Sequence, residues 1–309
     1  MLLEQISPSD PVTAQAMRGL KETCAIIRDA QFYQKNGPAD NVKKAPSSSD
    51  SGTFRSLNES NNPTAAARNY ESFGKKIVSF DAKVDVILED RNEDPATELA
   101  MQTYIEAKER GYVVQEKFFE ADSGSNAEEF DGIRAVCPAG NVITPSSNIL
   151  VPVGNSDANR AAQQSAIESL LINARKIKGG ATHAYMNGLL KIRLLTVAKE
   201  LGYYRMSKDE LGNEVEQIGD IVLRDAGLKT DGKDILPFSE TVNAEGTTSS
   251  IFFVRWGERT DLTVLTSRGL VGRYAGQVAN HYINNVNMDA ALVLQDDTAI
   301  QQSEGWKLS

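Results

Sequence analysis

Histidine is nearly absent from this chain. Only His183 and His281 occur among 309 residues, and that scarcity removes much nucleophilic and metal chemistry. A Ser/His/Asp or Cys/His set needs a histidine delivered to the nucleophile, and neither histidine neighbours a Gly-x-Ser-x-Gly elbow. Cysteine is as rare. Cys24 and Cys137 lie far apart without metal-type spacing, and they read as two reduced, small apolar residues of a cytosolic product. No run approaches the roughly 18 apolar residues that would span a bilayer. Met1-Leu2-Leu3-Glu4-Gln5-Ile6 lacks the charged and apolar regions of a signal peptide. There is no basic tail, no cluster of five or more Lys/Arg, and the formal charge is −9. Tight nucleic-acid binding rests on an electropositive stripe that releases counterions, so it is disfavoured.

Other chemical signatures are missing as well. Gly74-Lys75-Lys76 precedes a strand instead of opening a helix, and no Gly-x-x-x-x-Gly-Lys-Ser/Thr phosphate loop occurs. Asp122-Ser123-Gly124-Ser125-Asn126 has a faint likeness to a calcium loop, but Ala127 stands where the sharp turn needs glycine. Adjacent acids such as Glu128-Glu129 and Asp296-Asp297 read as solvated faces. No aromatic and basic residues interleave as a stacking platform. The sequence therefore assigns no catalytic, cofactor-binding or metal-binding residue.

What is present is ordinary globular material, 40% hydrophobic and 24% charged, without an internal repeat. The stretch to about Ala30 can form helix, with Asp10 as cap and Pro11 at the first helical position. From Gln34 to about Asn62 the chain is rich in Ser, Asn, Asp, Pro and Gly, and reads as extended when isolated. Val78, Phe80, Ala82, Val84, Val86 and Leu88 then alternate with mostly polar residues. That period of two predicts a strand of ~36–40 Å at about 3.3 Å per residue, long enough to project from a body. Asp94-Pro95 repeats the cap signal, and the spacing predicts a helix from Pro95 to about Glu120, bent at Gly111. Short strands and turns follow from Phe130 to Val153. Asn155, Ser156 and Asp157 cap a helix that carries Ile167, Leu170, Leu171, Ala174 and Ile177 and stops at Gly179-Gly180. A further helix is expected from about Thr182 to Glu200, with His183 in its first turn. Ile251–Trp256, Leu262–Leu265 and Ala290–Gln295 are the best later strands. Helices and strands are segregated, so the class is α+β.

Three segments carry a family likeness: Phe130-Asp131-Gly132-Ile133-Arg134, the block from Ile167 to Asn187, and Ser249-Ser250-Ile251-Phe252-Phe253-Val254-Arg255-Trp256-Gly257. With the order of elements, they resemble the Hong Kong 97-type (HK97-like) major capsid fold of tailed phages, some related viruses and encapsulin compartments. More narrowly, they resemble its epsilon15-like, short-chain branch. The likeness runs from about Ser51 onward.

The resemblance implies a shell subunit, not an enzyme. It divides the chain into an N-terminal arm (1–50), an extended β-hairpin loop (51–93), and a peripheral domain with a long spine helix (94–135). A mostly axial domain (136–250) follows, with one peripheral-domain helix near 158–178, and then axial strands returning to the peripheral domain (251–309). Val78, Phe80, Val84, Val86 and Leu88 become candidate intersubunit contacts. The implied product is a major capsid protein that forms hexamers and pentamers of an icosahedral shell around double-stranded DNA. It would be assembled in the host cytoplasm and reside in the virion. The implied partners are further copies of itself, a scaffolding protein, a portal and, as an optional addition, a cement protein, with DNA held by non-specific proximity, no membrane and no cofactor. No long N-terminal segment of the kind some members remove is evident, so the scaffold is expected to be separate. No Lys–Asn pair stands out for covalent crosslinking. An encapsulin-like compartment, an unrecognised enzyme, and a decoration or portal module are the alternatives.

Overall fold

The computed structural model describes residues 1–37, 39–43, 70–86, 94–208 and 214–308. Three short helices come first, α1 (Leu3–Ile6), α2 (Pro11–Thr23) and α3 (Ala25–Asp29), followed by strands β1 (Phe32–Gln34), β2 (Ala39–Lys43), β3 (Tyr70–Gly74) and β4 (Lys76–Asp85). The long helix α4 (Pro95–Glu120) leads through α5 (Ile133–Val136) and the two-residue strands β5 (Val142–Ile143) and β6 (Ile149–Leu150) to α6 (Asp157–Arg175). Next come β7 (His183–Met186), α7 (Gly188–Leu201), β8 (Tyr204–Lys208), β9 (Glu214–Ile218) and β10 (Ile221–Asp225). The chain closes with β11 (Glu240–Val242), β12 (Glu245–Val254), β13 (Leu262–Thr266), β14 (Leu270–Val278), β15 (His281–Leu294) and β16 (Ile300–Lys307). The architecture is α+β, as the segregated pattern implies.

Two sheets organise these elements. A five-stranded sheet is built on β15, which pairs with β4 and β14 along its first part and with β13, then β1, at its end. A nine-stranded mixed sheet runs β5-β16-β12-β7-β10-β9-β8, with β6 also paired to β16 and β11 to β12. Its central strand β12 is buried on both faces. Phe252 and Val254 enter the large core shared with α2, α3, α4 and the first sheet, while Ile251 and Phe253 enter a second core under α6 and α7. Alternation along a strand explains the split, and it explains why Ile251–Val254 reads as one apolar run.

Several expectations are corrected. Of the expected N-terminal arm (1–50), residues 1–34 pack on their own subunit: Leu3, Leu20, Ile26 and Phe32 are fully buried in the large core of the same chain. The antiparallel hairpin is β2 with β3, not the alternating strand, and residues 44–69 between them lie outside the described residues. The alternating strand is β4, paired from Lys76 to Asp85 with β15 in the body. The helix α6, expected to join the long helix, shares the second core with α7. The expected helix at Thr182 starts only at Gly188, capped by Asn187, because His183–Met186 is a strand held between β12 and β10.

The long helix spans the expected residues without interruption. Gly111 serves close packing there, since a Cβ on it would stand 1.9 Å from Thr23 Oγ1 on α2. Gly19 of α2 makes a second close approach to α4, where a Cβ would lie 2.5 Å from the Tyr104 carbonyl oxygen. Two helices lacking Cβ atoms at their contact approach more closely than ordinary side chains allow.

Candidate functional site

The richest cluster of polar chemistry lies where the N-terminal helices meet the nine-stranded sheet. His183 and Tyr185 alternate onto one face of β7, and the parallel register with β10, Arg224 opposite Tyr185, brings the arginine beside them. Asp29, at the end of α3, inserts between. Arg224 Nε donates to both carboxylate oxygens at 3.1 and 2.9 Å, and its Nη2 donates to Oδ1 at 2.7 Å. Tyr185 donates to Asp29 Oδ2 at 3.2 Å, and the Trp256 indole donates to the Tyr185 hydroxyl at 2.9 Å. His183 stacks on Tyr185, with Nδ1 3.0 Å from Thr182 Oγ1 and Nε2 3.9 Å from Asp29.

Burial governs the protonation of this cluster. Loss of solvent pushes the His183 pKa down despite the Asp29 charge, so the imidazole is neutral. It pushes the Tyr185 phenol well up, with Asp29 adding to the effect. The carboxylate is consumed by a bidentate guanidinium, and the Thr182 hydroxyl beside the histidine is held by the backbone, donating to the Val254 carbonyl oxygen and accepting from the Trp256 amide. The cluster works as a clamp between α3 and the sheet. Sequence reasoning missed it because its partners come from four separated segments, with Asp29 and Arg224 standing 195 positions apart.

The remaining chemical candidates separate. His281 opens β15 in an exposed position. Asp122 accepts from the Gly124 amide and the Ser125 hydroxyl, closing a local turn. Burial raises the Cys24 thiol to about 12 and the Cys137 thiol to about 11, away from nucleophilic use. Among the described residues no group of three or more His, Cys, Asp or Glu is arranged to hold a metal.

The candidate contact strand finds much of its cover within the subunit. Phe80 belongs to the large core, and Val84 packs with Ala82 and Leu99 in a small cluster that Tyr282 borders. The apolar face turns inward because β4 is registered on β15 and packs on α4. Val78 and Val86 are half-buried, and Leu88 lies outside the described residues. Exposed apolar surface occurs elsewhere. Met101 and Ile105 share a face of α4, Leu189 and Ile192 share a face of α7 at 59% and 64% exposure, and Ile172 with Tyr203 borders a shallow groove between α6 and the end of α7. Exposed pairs at helical spacing mark places where a neighbour can bury area.

No protein-family model matches the chain, and no curated protein matches it. Solved structures do. The holo-SrpI encapsulin complex from Synechococcus elongatus aligns over 91% of this chain and 87% of its own, with 11% identity and a TM-score of 0.61. The capsid of a native GTA particle aligns over 95% and 91%, with 12% identity and a TM-score of 0.52. A chain of Microbacterium phage Oxtober96 aligns over 92% and 91%, with 12% identity and a TM-score of 0.51.

Proposed function

We propose that this chain, whose fold is Hong Kong 97-like, is the major capsid protein of a tailed bacteriophage. It assembles into hexamers and pentamers that close an icosahedral shell around a double-stranded DNA genome. One observation carries the reading: the likeness to shell-forming chains covers more than nine-tenths of this chain, leaving no separate region for a catalytic unit. The polar cluster at Asp29 supports a structural role because its groups satisfy one another. We assign α4 and the five-stranded sheet to the peripheral domain, the nine-stranded sheet with α6 and α7 to the axial domain, and the β2–β3 hairpin to the extended loop. Within the fold, the three segments at Phe130, Ile167 and Ser249 favour the epsilon15-like branch.

Assembly follows from ordinary burial. Exposed pairs such as Met101 with Ile105 and Leu189 with Ile192 gain roughly 25 cal/mol per Å² when a neighbouring subunit covers them, and half-buried Val78 and Val86 add to the same contacts. Repetition around a closed ring turns weak contacts into a stable shell. The partners of this reading are further copies of the chain, a separate scaffolding protein, a portal, an optional cement protein and enclosed DNA. Its site of action is the virion, after assembly in the host cytoplasm.

A cargo compartment of encapsulin type is the second reading, favoured by the TM-score of 0.61 to the Synechococcus shell. Density-gradient purification of the native particle separates the two. A capsid protein is the dominant protein of particles holding nuclease-protected, genome-length double-stranded DNA. Particles holding a co-purifying enzyme and no DNA would replace it with the compartment reading.

A further inference from the structure

A cavity of about 290 Å³ lies beside the Asp29 clamp, between α3 and the strands β8, β9 and β10. Among the described residues its charged lining consists of three cations, Arg28, Lys208 and Arg224, against the single carboxylate of Asp29, apart from neutral His183. This local excess stands in a chain whose formal charge is −9. Arg224 already holds Asp29 with two nitrogens, so the carboxylate has little left to offer the other cations. Arg28 and Lys208 form no ion pair among the described residues. Arg28 Nε is buried and has no hydrogen-bond acceptor, a costly state for a donor removed from water. The larger cleft on the other side of Arg28 carries as many carboxylates as cations and so holds its own counter-charge.

From this geometry we infer that the cavity is a binding site for a tetrahedral oxyanion of the phosphate class. Arg28 supplies the planar donor that phosphate and sulfate accept from most readily, and Lys208 supplies a mobile charge at the mouth. Ser207 and Gln217 line the same space with polar groups that no side chain among the described residues occupies. The cavity lies at the lower end of ordinary ligand clefts, which begin at about 300 Å³. Free inorganic phosphate fits that space together with part of its hydration water, whereas a nucleic-acid backbone needs a continuous groove. A bound anion would tie the N-terminal helices, through Arg28, to the β8–β9 ribbon, through Lys208. This inference is independent of the shell reading.

Calorimetric titration of the full chain with inorganic phosphate, at constant ionic strength in chloride, tests it. Saturable one-site binding with a Kd of about 1 mM or tighter is expected. Arg28→Gln and Lys208→Gln should each weaken it by about tenfold or more while circular dichroism stays unchanged. Lys208 is exposed, so its variant remains folded even where that at Arg28 does not. Non-saturable heats, or binding that survives both substitutions, would overturn the site. Displacement of phosphate by a short single-stranded oligonucleotide would overturn the free-anion assignment and make the phosphodiester backbone the ligand. The titration reads the subunit in any assembly state, so its failure leaves the capsid proposal standing.

Discussion

Removing one half of the Asp29–Arg224 pair should cost far more than removing both. The Asp29 side chain is 2% exposed and that of Arg224 14%, so either partner left alone is a charge with little access to water. Breaking a buried pair in this way costs about 3–5 kcal/mol, a sizeable part of an ordinary stability of about 5–15 kcal/mol. Asp29→Asn leaves the guanidinium without its carboxylate. Arg224→Met leaves the carboxylate with the Tyr185 hydroxyl at 3.2 Å and the neutral His183 ring at 3.9 Å. Replacing both with apolar residues of similar size, Asp29→Leu with Arg224→Met, removes the desolvation cost together with the attraction and should recover most of the loss. Urea unfolding of the dissociated subunit measures all three. Trp256 is a built-in fluorescent reporter because its indole bonds to Tyr185 in the same cluster. Single variants within about 1 kcal/mol of the parent, and additive in the double, would refute the clamp.

Four further outcomes are expected. Val84→Asp should give insoluble or unfolded subunit, because it loses about 1.5–3 kcal/mol of apolar burial and puts a carboxylate beside Leu99; soluble protein that fails only in assembly would return Val84 to an intersubunit contact. Gly19→Ala gains about 1 kcal/mol in an open helix, but the Tyr104 carbonyl blocks its Cβ, so the melting temperature should fall instead of rise. The buried, neutral His183 has a pKa below the ordinary 6.5, so the unfolded chain takes up the proton first. Its contribution is complete above 6.5 and is lost as pH falls toward the lowered value; His183→Gln should flatten the urea midpoint against pH in that window. Ile192→Asp, at 64% exposure, should leave subunit stability within about 0.5 kcal/mol while reducing assembly measured by sedimentation.

The local signals for secondary structure were legible where capping and periodicity agreed. Asp94 with Pro95 set the start of α4, and Ser156 set that of α6, because a cap acts through its own first turn. Tertiary context decided the rest. His183–Met186 reads as helix beside the strong helix of Gly188–Leu201, yet the gap between β12 and β10 makes it a strand. Gly111 reads as a bend because local sequence does not reveal that the fold sets Thr23 of α2 against it. The alternation through Val84 correctly marked a strand with one apolar face, but periodicity alone cannot tell a neighbour's surface from the chain's own α4 and β15. The clamp at Asp29 had no local signal, since only the fold brings its members together.

Negative-stain electron microscopy with light scattering, on the purified chain alone and with a scaffolding protein encoded beside it, tests the central claim most directly. Closed shells, or rings of five and six subunits, are the predicted result. A monodisperse monomer under both conditions would contradict it.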